Sequence, residues 1–442
     1  MWDAARSAHP GLDAELARAK TLARAETNFE LARMETLLVR IGSPHHRLPP
    51  VFHVAGTNGK GSTVAFLRAM LEAAGLRVHV YTSPHLVRVN ERIRIAGKLV
   101  SDEHFTDLLQ RTLHANAGHE ASFFELTTTA AFLAFAETPA DACVLEVGMG
   151  GRLDATNVVP EPAVAGIAQL GLDHQRWLGN SIVQIAAEKA GIAKRGRPLV
   201  TSKYPRTVAG RVAEVAGLAG ARLVQRGIDW DAAVYKHALH LRDARGVLHL
   251  PVPRLAGPHQ ADNAALAVAM LRAQDQVHVP ESAIRAGLGW ADWPARLQRL
   301  DATALGRLLP AGSELWLDGA HNAPAARALA DAFRGHSLAA RPLHMVLGML
   351  AAKEPGSFLK AFVGRLSAVH AVPIPDHHCH APERLVADAR ALGLHADVAA
   401  SVEAALRRIA TAPGAGGPPV VLIAGSLHLA GAVLGEAGLD PT

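Results

Sequence analysis

Short apolar runs and longer amphipathic stretches alternate along most of this chain. Residues 51–55, 77–81, 142–147, 163–170 and 198–201 are compact apolar runs. The stretches between them repeat apolar positions at helical spacing, which predicts a mostly parallel sheet covered on both faces. The first fifty residues read instead as two helices, 12–25 and 29–41, ended by Gly42, Ser43 and Pro44. Residues 227–253 alternate with period two and turn often, the pattern of a small antiparallel excursion. A second alternating series follows, with strands expected at 314–317, 343–347, 368–372 and 420–424 and helices at 325–333, 382–392 and 402–409. The segment 293–300 reads as the junction, so two domains are expected, 1–297 and 298–442.

The first strand leads into a loop with chemistry. His53-Val-Ala-Gly-Thr-Asn-Gly-Lys-Gly-Ser62 places glycines, a lysine and a hydroxyl between the strand and a helix expected over 63–74. Residues 56–61 must turn the chain there, so backbone N–H groups and the helix N-terminus would face a bound anion. Glycine lets the backbone approach phosphates, Lys60 supplies a point charge, and Ser62 offers a hydroxyl to Mg²⁺. The usual P-loop has Ser or Thr directly after its lysine; here Gly61 intervenes.

Composition narrows the setting. A chain of 442 residues, 49% hydrophobic and 19% charged, buries a substantial core in two or three domains. The net charge of +5 and pI near 9.4 raise the question of nucleic acid, but the basic residues are scattered among acids, which argues against it and suits polyanionic small molecules. Asp3, Arg6, Asp13, Glu15 and Arg18 interrupt any signal-peptide core, and Gly425, Ser426 and His428 break the apolar run 420–434, so a cytoplasmic protein without a membrane span is expected. Cys143 and Cys379 form no disulfide framework. His377-His-Cys-His380 lacks the spacing of a zinc site and reads as a solvated loop.

Parallel sheets bind ligands beyond the carboxyl ends of their strands. Four polar sets sit there: Thr82-Ser83-Pro84-His85, Glu146 with the following glycines, Asp173-His174, and Asp318 with His321 and Asn322. Ser62, Ser83, Glu146 and His174 together offer hydroxyl, carboxylate and imidazole, a set suited to Mg²⁺ shared with water and phosphate oxygens. Taken singly, an acid, a histidine or a Ser-Pro has a plain structural explanation; sharing one edge with a phosphate loop favours function.

These motifs converge on one family. The chain resembles the folylpolyglutamate synthases of the Mur ligase superfamily, in the bifunctional form that is also a dihydrofolate synthase. The resemblance runs from Met34-Glu through Thr57-Asn-Gly-Lys-Gly-Ser62, Thr82-Ser-Pro-His-Leu86, Asn90-Glu-Arg92, Leu145 to Asn157, Gly171-Leu-Asp-His174, Glu188-Lys-Ala-Gly-Ile192, His259 to Asn263, Pro294-Ala-Arg296, Leu317 to Asn322, Gly348-Met-Leu350 and Gly425-Ser-Leu427. It implies an α/β chain: a P-loop-containing, mostly parallel, doubly wound sheet domain followed by a smaller Rossmann-like domain. It implies ATP held by Thr57, Asn58, Gly59, Lys60, Gly61 and Ser62, with Asn263, Arg296, Asp318 and His321 at nucleotide-contacting positions. Mg²⁺ falls to Ser62, Ser83, Glu146, His174 and Lys189, the last matching a lysine that the family carbamylates; Lys60, His174 and Lys189 are the catalytic candidates. Without the family, Lys189 reads as a surface lysine paired with Glu188. Phe29, Ser122, Phe123, Phe124, Glu125, Leu153, Asp154 and Ala155 match segments that hold the pterin-bearing substrate. Three departures stand out: Ala295 where glycine is usual, Ala323 before Pro324, and Ala352 for a common aspartate before Lys353.

The implied reaction joins a carboxylate to the amine of glutamate, with ATP converting the carboxylate to an acyl phosphate. Its substrates would be dihydropteroate, folates and glutamate, and nothing demands more than a monomer. A monofunctional folylpolyglutamate synthase is the nearer alternative. A cell-wall amino-acid ligase is the further one, disfavoured because only about fifty residues precede the loop, too few for a nucleotide-sugar domain.

Overall fold

In the computed structural model, residues 5–22, 30–334, 341–411 and 417–440 are described. The chain divides into two compact units, Met1–Arg254 with Gln260–Asp292 and Leu255–His259 with Trp293–Pro441.

The first unit is built on an eight-stranded sheet. Its strands are β1 (Val51–Ala55), β2 (Val78–Tyr81), β3 (Ile93–Ile95), β4 (Lys98–Leu99), β5 (Ala142–Glu146), β6 (Val164–Ile167), β7 (Pro198–Thr201) and β8 (Arg222–Gln225), in the order β4-β3-β2-β5-β1-β6-β7-β8. Every neighbouring pair from β2 to β8 is parallel, and β3 and β4 add antiparallel strands at one edge. β1, β2, β5, β6 and β7 are buried along their whole length, as expected of strands covered on both faces. The five strands absent from the sequence reading, β3, β4, β8 and, in the second unit, those at 298–299 and 396–398, are short and lie at or beside sheet edges.

Helices begin where their caps dictate. The helix after the first loop spans Lys60–Ala73, three residues earlier than expected, because Gly59 at φ 84° makes the turn alone and leaves Lys60, Gly61 and Ser62 in the first turn. Ser122 and Ser181 open Phe123–Glu137 and Ile182–Ala190 with full capping boxes. Among the described residues the N-terminal helices span Pro10–Leu22 and Leu31–Arg40; residues 23–29, which take in the expected end of the first and start of the second, lie outside the described residues. The excursion forms as a separate three-stranded antiparallel sheet, β9 (Trp230–Tyr235), β10 (Ala238–Asp243) and β11 (Gly246–Pro251).

The second unit carries six strands, β12 (Gln298–Arg299), β13 (Glu314–Leu317), β14 (Leu343–Leu347), β15 (Ala368–Ala371), β16 (Ala396–Val398) and β17 (Val420–Ala424). Their order is β12-β13-β17-β14-β15-β16, parallel except for β12. The stretch 293–300, read as a junction, therefore supplies an edge strand. Its core gathers Leu329, Phe333, Met345, Phe358, Val369, Leu385 and Leu422. The apolar run 420–434 resolves into β17 and the helix Leu427–Glu436, and among the described residues no helix is long and apolar enough to cross a membrane.

Candidate active site

Strand order decides which loops meet in the first unit. β1 lies between β5 and β6, and β2 lies beyond β5, so the segments following these four strands share one sheet edge. Val54 is in register with both Glu146 and Gly166, which sets the carboxylate beside the start of the loop.

The loop is braced from β6. The Thr57 and Asn58 amides both donate to the Gln169 carbonyl, at 2.8 and 3.1 Å, and the Thr57 hydroxyl lies 3.1 Å from both Gly171 O and Gly171 N. Two N–H groups that the sequence offered to an anion are thus spent on the scaffold. The donors left for phosphate are those of the first helical turn from Lys60. Gly59 is obligatory twice over: its φ is 84°, and a Cβ there would lie 2.3 Å from Asn263 Oδ1. Asn263, held by Gln260 Oε1 at 3.0 Å, closes against the loop at Gly59. Lys60 folds back over the turn, its Nζ donating to Gly56 O at 3.0 Å.

On the β5 side, Glu146 is buried and accepts the Ser83 amide at 3.2 Å. The Ser83 loop is held by a residue that the sequence reading quoted without a role: Glu91 accepts the amides of Leu86, Val87 and Arg88 at 2.8, 2.7 and 2.5 Å. Arg92 is buried as well. Burial pulls its guanidinium down to about 10 and the nearby Glu146 charge opposes the fall, while Nε donates to His85 Nδ1 at 3.1 Å and the group lies 5.5 Å from the Phe123 ring. Only its place in a motif marked Arg92 in sequence; the buried pairing is a tertiary fact.

After β6, His174 adopts φ 50° at the start of the short helix Gln175–Leu178, its amide donating to Asp173 Oδ1 at 2.8 Å. Lys189 is 4% exposed. Burial chiefly, and then the Lys60 charge, pull its amine from 10.5 to about 7, against the opposing pull of Asp173 and Asp154. Its pairing with Glu188 does not form: Glu188 Oε1 binds Arg152 Nη2 at 3.0 Å, and successive residues of a helix do not face one another. Gly151 packs so closely on the helix that a Cβ would lie 2.7 Å from Glu188 O.

The segments matched to pterin-bearing substrate are partly structural. Ser122 and Glu125 cap one another, with Glu125 also bound to Arg33 at 3.1 Å. Asp154 is 4% exposed and accepts the amides of Thr156 and Met149 at 3.0 and 2.9 Å; burial raises its pKa against these bonds. Phe123, Phe124 and Leu153 keep partial exposure, Ala155 is buried, and Phe124 lies under Gly148 and 5.8 Å from the Tyr81 ring. Phe29 lies outside the described residues.

In the second unit, Asp318 accepts the amides of Leu297 and Ala320, both at 2.8 Å, and is 4% exposed. His321 Nδ1 donates to Gly319 O at 2.9 Å, and Arg296 Nη1 donates to Ala295 O at 2.8 Å. Ala295 sits at φ 56°, which explains why glycine would suit that position, and Pro324 falls in the first turn of the helix Ala323–Arg334, where proline is tolerated. The residues of His377-His-Cys-His380 bond to backbone: His377 Nδ1 donates to Pro375 O at 2.7 Å within its own loop, and His380 Nε2 donates to Lys353 O of the segment after β14 at 2.9 Å.

Residues 54–271 match the Mur ligase middle domain and residues 306–427 the Mur ligase glutamate ligase domain. With the fold and the sheet-edge site, these matches define a Mur-type ligase, an ATP-dependent acid–amine ligase. The chain is 35% identical over 370 residues to the dihydrofolate synthase/folylpolyglutamate synthase of Bacillus subtilis, covering 77% of this chain and 80% of that one. Its structure is similar to that of E. coli FolC in complex with DHPP and ADP, at TM-score 0.86, 33% identity and 98% of both chains. It is also similar to the bifunctional folylpolyglutamate synthase/dihydrofolate synthase with Mn, AMPPNP and L-glutamate bound, at TM-score 0.84, 32% identity and 99% and 100% of the two chains. The chain belongs to the folylpolyglutamate synthase/dihydrofolate synthase family.

Proposed function

We propose that this protein adds L-glutamate both to dihydropteroate, forming dihydrofolate, and to folates, forming polyglutamates, each through an acyl phosphate made with ATP. The observation that carries the reading is the buried amine of Lys189, which shares its surroundings with Lys60, Asp173 and Asp154. An amine near pKa 7 is substantially neutral at neutral pH and so nucleophilic toward CO₂. The resulting carbamate would turn a cation into an oxygen ligand, and the donor set favours that change. Among the described residues no three His, Cys, Asp or Glu form a metal-holding group. Glu146 with the hydroxyls of Ser62 and Ser83 and the imidazole of His174 is too sparse for a hard cation, which takes six oxygens, unless phosphate oxygens, water and a carbamate complete it.

Ser62, Ser83, Glu146, His174 and carbamylated Lys189 would hold Mg²⁺, which when bound offsets negative charge on the phosphates. Thr57 to Ser62 and Asn263 hold the nucleotide in the first unit, and Arg296, Asp318 and His321 are nucleotide-contact candidates by the family resemblance alone. Lys60 exchanges its bond to Gly56 O for the outer phosphates, stabilising charge on the phosphoryl group as it moves to the substrate carboxylate. The glutamate amine then attacks the acyl carbon and phosphate leaves, giving an amide, ADP and phosphate. Phe124, Leu153 and Ala155 form the seat for the pterin-bearing substrate.

Purified protein incubated with ATP, Mg²⁺ and labelled glutamate should label both dihydropteroate and tetrahydrofolate. Label in the folate alone sinks the bifunctional reading, and label in neither sinks the ligase assignment.

A further inference from the structure

His53, in the middle of β1, is completely buried, and nothing in the reaction above uses it. Its Nε2 lies 2.8 Å from Thr156 Oγ1, and Thr156 Oγ1 lies 2.5 Å from Asp154 Oδ1. The Asp154 carboxylate already receives the amides of Thr156 and Met149, with a further backbone bond at Gly148. With Oδ1 accepting from the Thr156 amide and Oδ2 from the Met149 amide, both carboxyl oxygens act as acceptors. The Thr156 hydroxyl therefore gives its single proton to Asp154, and His53 must give its Nε2 proton to the hydroxyl oxygen. That fixes the tautomer and leaves Nδ1 buried with no hydrogen-bond partner. An unsatisfied buried nitrogen is destabilising, a cost that an aliphatic side chain at this strand position would avoid. What the histidine supplies in exchange is direction: the hydroxyl can point only at Asp154. Burial chiefly, with the Lys194 charge second, keeps the imidazole neutral by holding its pKa near 3, so the chain of donors does not reverse in ordinary buffers.

The far end of this chain is the segment given above to the pterin-bearing substrate. Asp154 stands between Leu153 and Ala155, and through Met149 N and Gly148 its carboxylate also sets the glycine turn beneath Phe124, where a Cβ at Gly148 would lie 2.6 Å from the ring. We propose that His53 and Thr156 are positioning residues for the pterin-bearing substrate, holding Asp154 and hence the 148–155 turn in its binding shape from the middle of the buried strand β1. The inference rests on the assignment of Leu153 to Ala155 made under Proposed function.

The test titrates dihydropteroate and, separately, ADP with Mg²⁺ into wild type and four variants, and measures KM and kcat for dihydropteroate and for ATP. Thr156→Val keeps the shape and removes the hydroxyl; it should weaken dihydropteroate binding about 10- to 100-fold, the usual cost of leaving a buried acceptor without its donor. Its ADP affinity and ATP KM should stay within about 2-fold, since ADP meets the loop from Thr57 to Ser62 rather than this turn. Thr156→Ser, which restores the donor, should recover most of the loss. His53→Leu should show a smaller loss of the same kind, about 3- to 10-fold, and His53→Gln, whose amide can reach the same oxygen, should recover it. Wild-type pterin affinity in Thr156→Val overturns the proposal, as do equal losses in the Val and Ser variants, or ADP and pterin affinities falling together. A wild-type protein that binds ADP but no pterin would sink the substrate assignment itself, a different and separable result.

Discussion

The two units share an architecture, a parallel sheet with polar residues beyond its strand ends, yet they use those residues differently. In the first unit the edge gathers buried charges that do not cancel in simple pairs: Lys189 beside Lys60, Asp154 and Asp173, and Glu146 beside Arg92. In the second the carboxylate at the equivalent strand end, Asp318, accepts two backbone amides, and His321 Nδ1 donates to a backbone carbonyl. The same fold edge can therefore hold ionisation under strain or shape a loop. The difference lies in what each side chain meets, since both edges place Asp and His after an apolar strand.

The largest effect that could break this contrast is at Lys60 and Lys189. Replacing either with alanine should lower the rate of glutamate incorporation by about 10²–10³-fold, the loss typical of removing one group that stabilises transition-state charge. A steady-state rate within a few fold of wild type would remove the first unit's claim to the chemistry. Carbamylation has its own readout: protein equilibrated with ¹³C-labelled bicarbonate should show a carbamate carbon resonance that Lys189→Met lacks.

The ionisation itself leaves a trace in stability. Lys189 binds a proton below about pH 7 when folded but below about 10.5 when exposed, so between those values the unfolded chain carries more protons. Stability should therefore fall as pH is lowered from about 10.5 to 7, by up to about 1.4 kcal/mol per pH unit, and the contribution should be constant below that. Urea unfolding of CO₂-free protein across this range checks it, and Lys189→Met should lack that component of the slope.

Gly59→Ala comes next. It should cost about 1–3 kcal/mol and weaken ADP binding, because the Cβ meets Asn263 Oδ1 and the backbone is left-handed. Adding Asn263→Ala should relieve the clash but leave the backbone strain, and full recovery in the double variant would show that φ does not matter. Effects in the second unit should be smaller and conformational. Asp318→Asn, which loses one carboxylate oxygen for the Leu297 and Ala320 amides, should cost about 1–2 kcal/mol of that unit's stability in differential scanning calorimetry. Ala295→Gly should change stability by no more than about 1 kcal/mol, in the stabilising direction, since φ is 56° there.

Legibility in the sequence followed the range of the interaction. β1, β7, β13, β14 and β17 were bounded to the residue from apolar runs alone, because a strand covered on both faces has no polar alternation to blur its ends. The Gly59 turn and the capping boxes at Ser122 and Ser181 were likewise written locally. The short strands β3, β4 and β16 were not, since their polar residues are recruited by neighbours already in place. Within the site, the glycine loop and the acidic and histidine residues at strand ends were visible, whereas Lys189 looked like any helix lysine until its family motif was considered.

What the sequence by itself determined is thus the pattern: where strands run, where glycine must turn, and which side chains stand at the binding edge. Only the tertiary structure decided what those side chains are. It turned Lys189 into a half-neutral amine by enclosing it beside another cation, diverted Glu188 to Arg152, and tied the Thr57 and Asn58 amides to Gln169. It also joined His53 to Asp154 across 101 positions of sequence through one hydroxyl. The reason is physical: backbone conformation depends on a few adjacent residues, while desolvation and hydrogen-bond partnership depend on everything packed around a group.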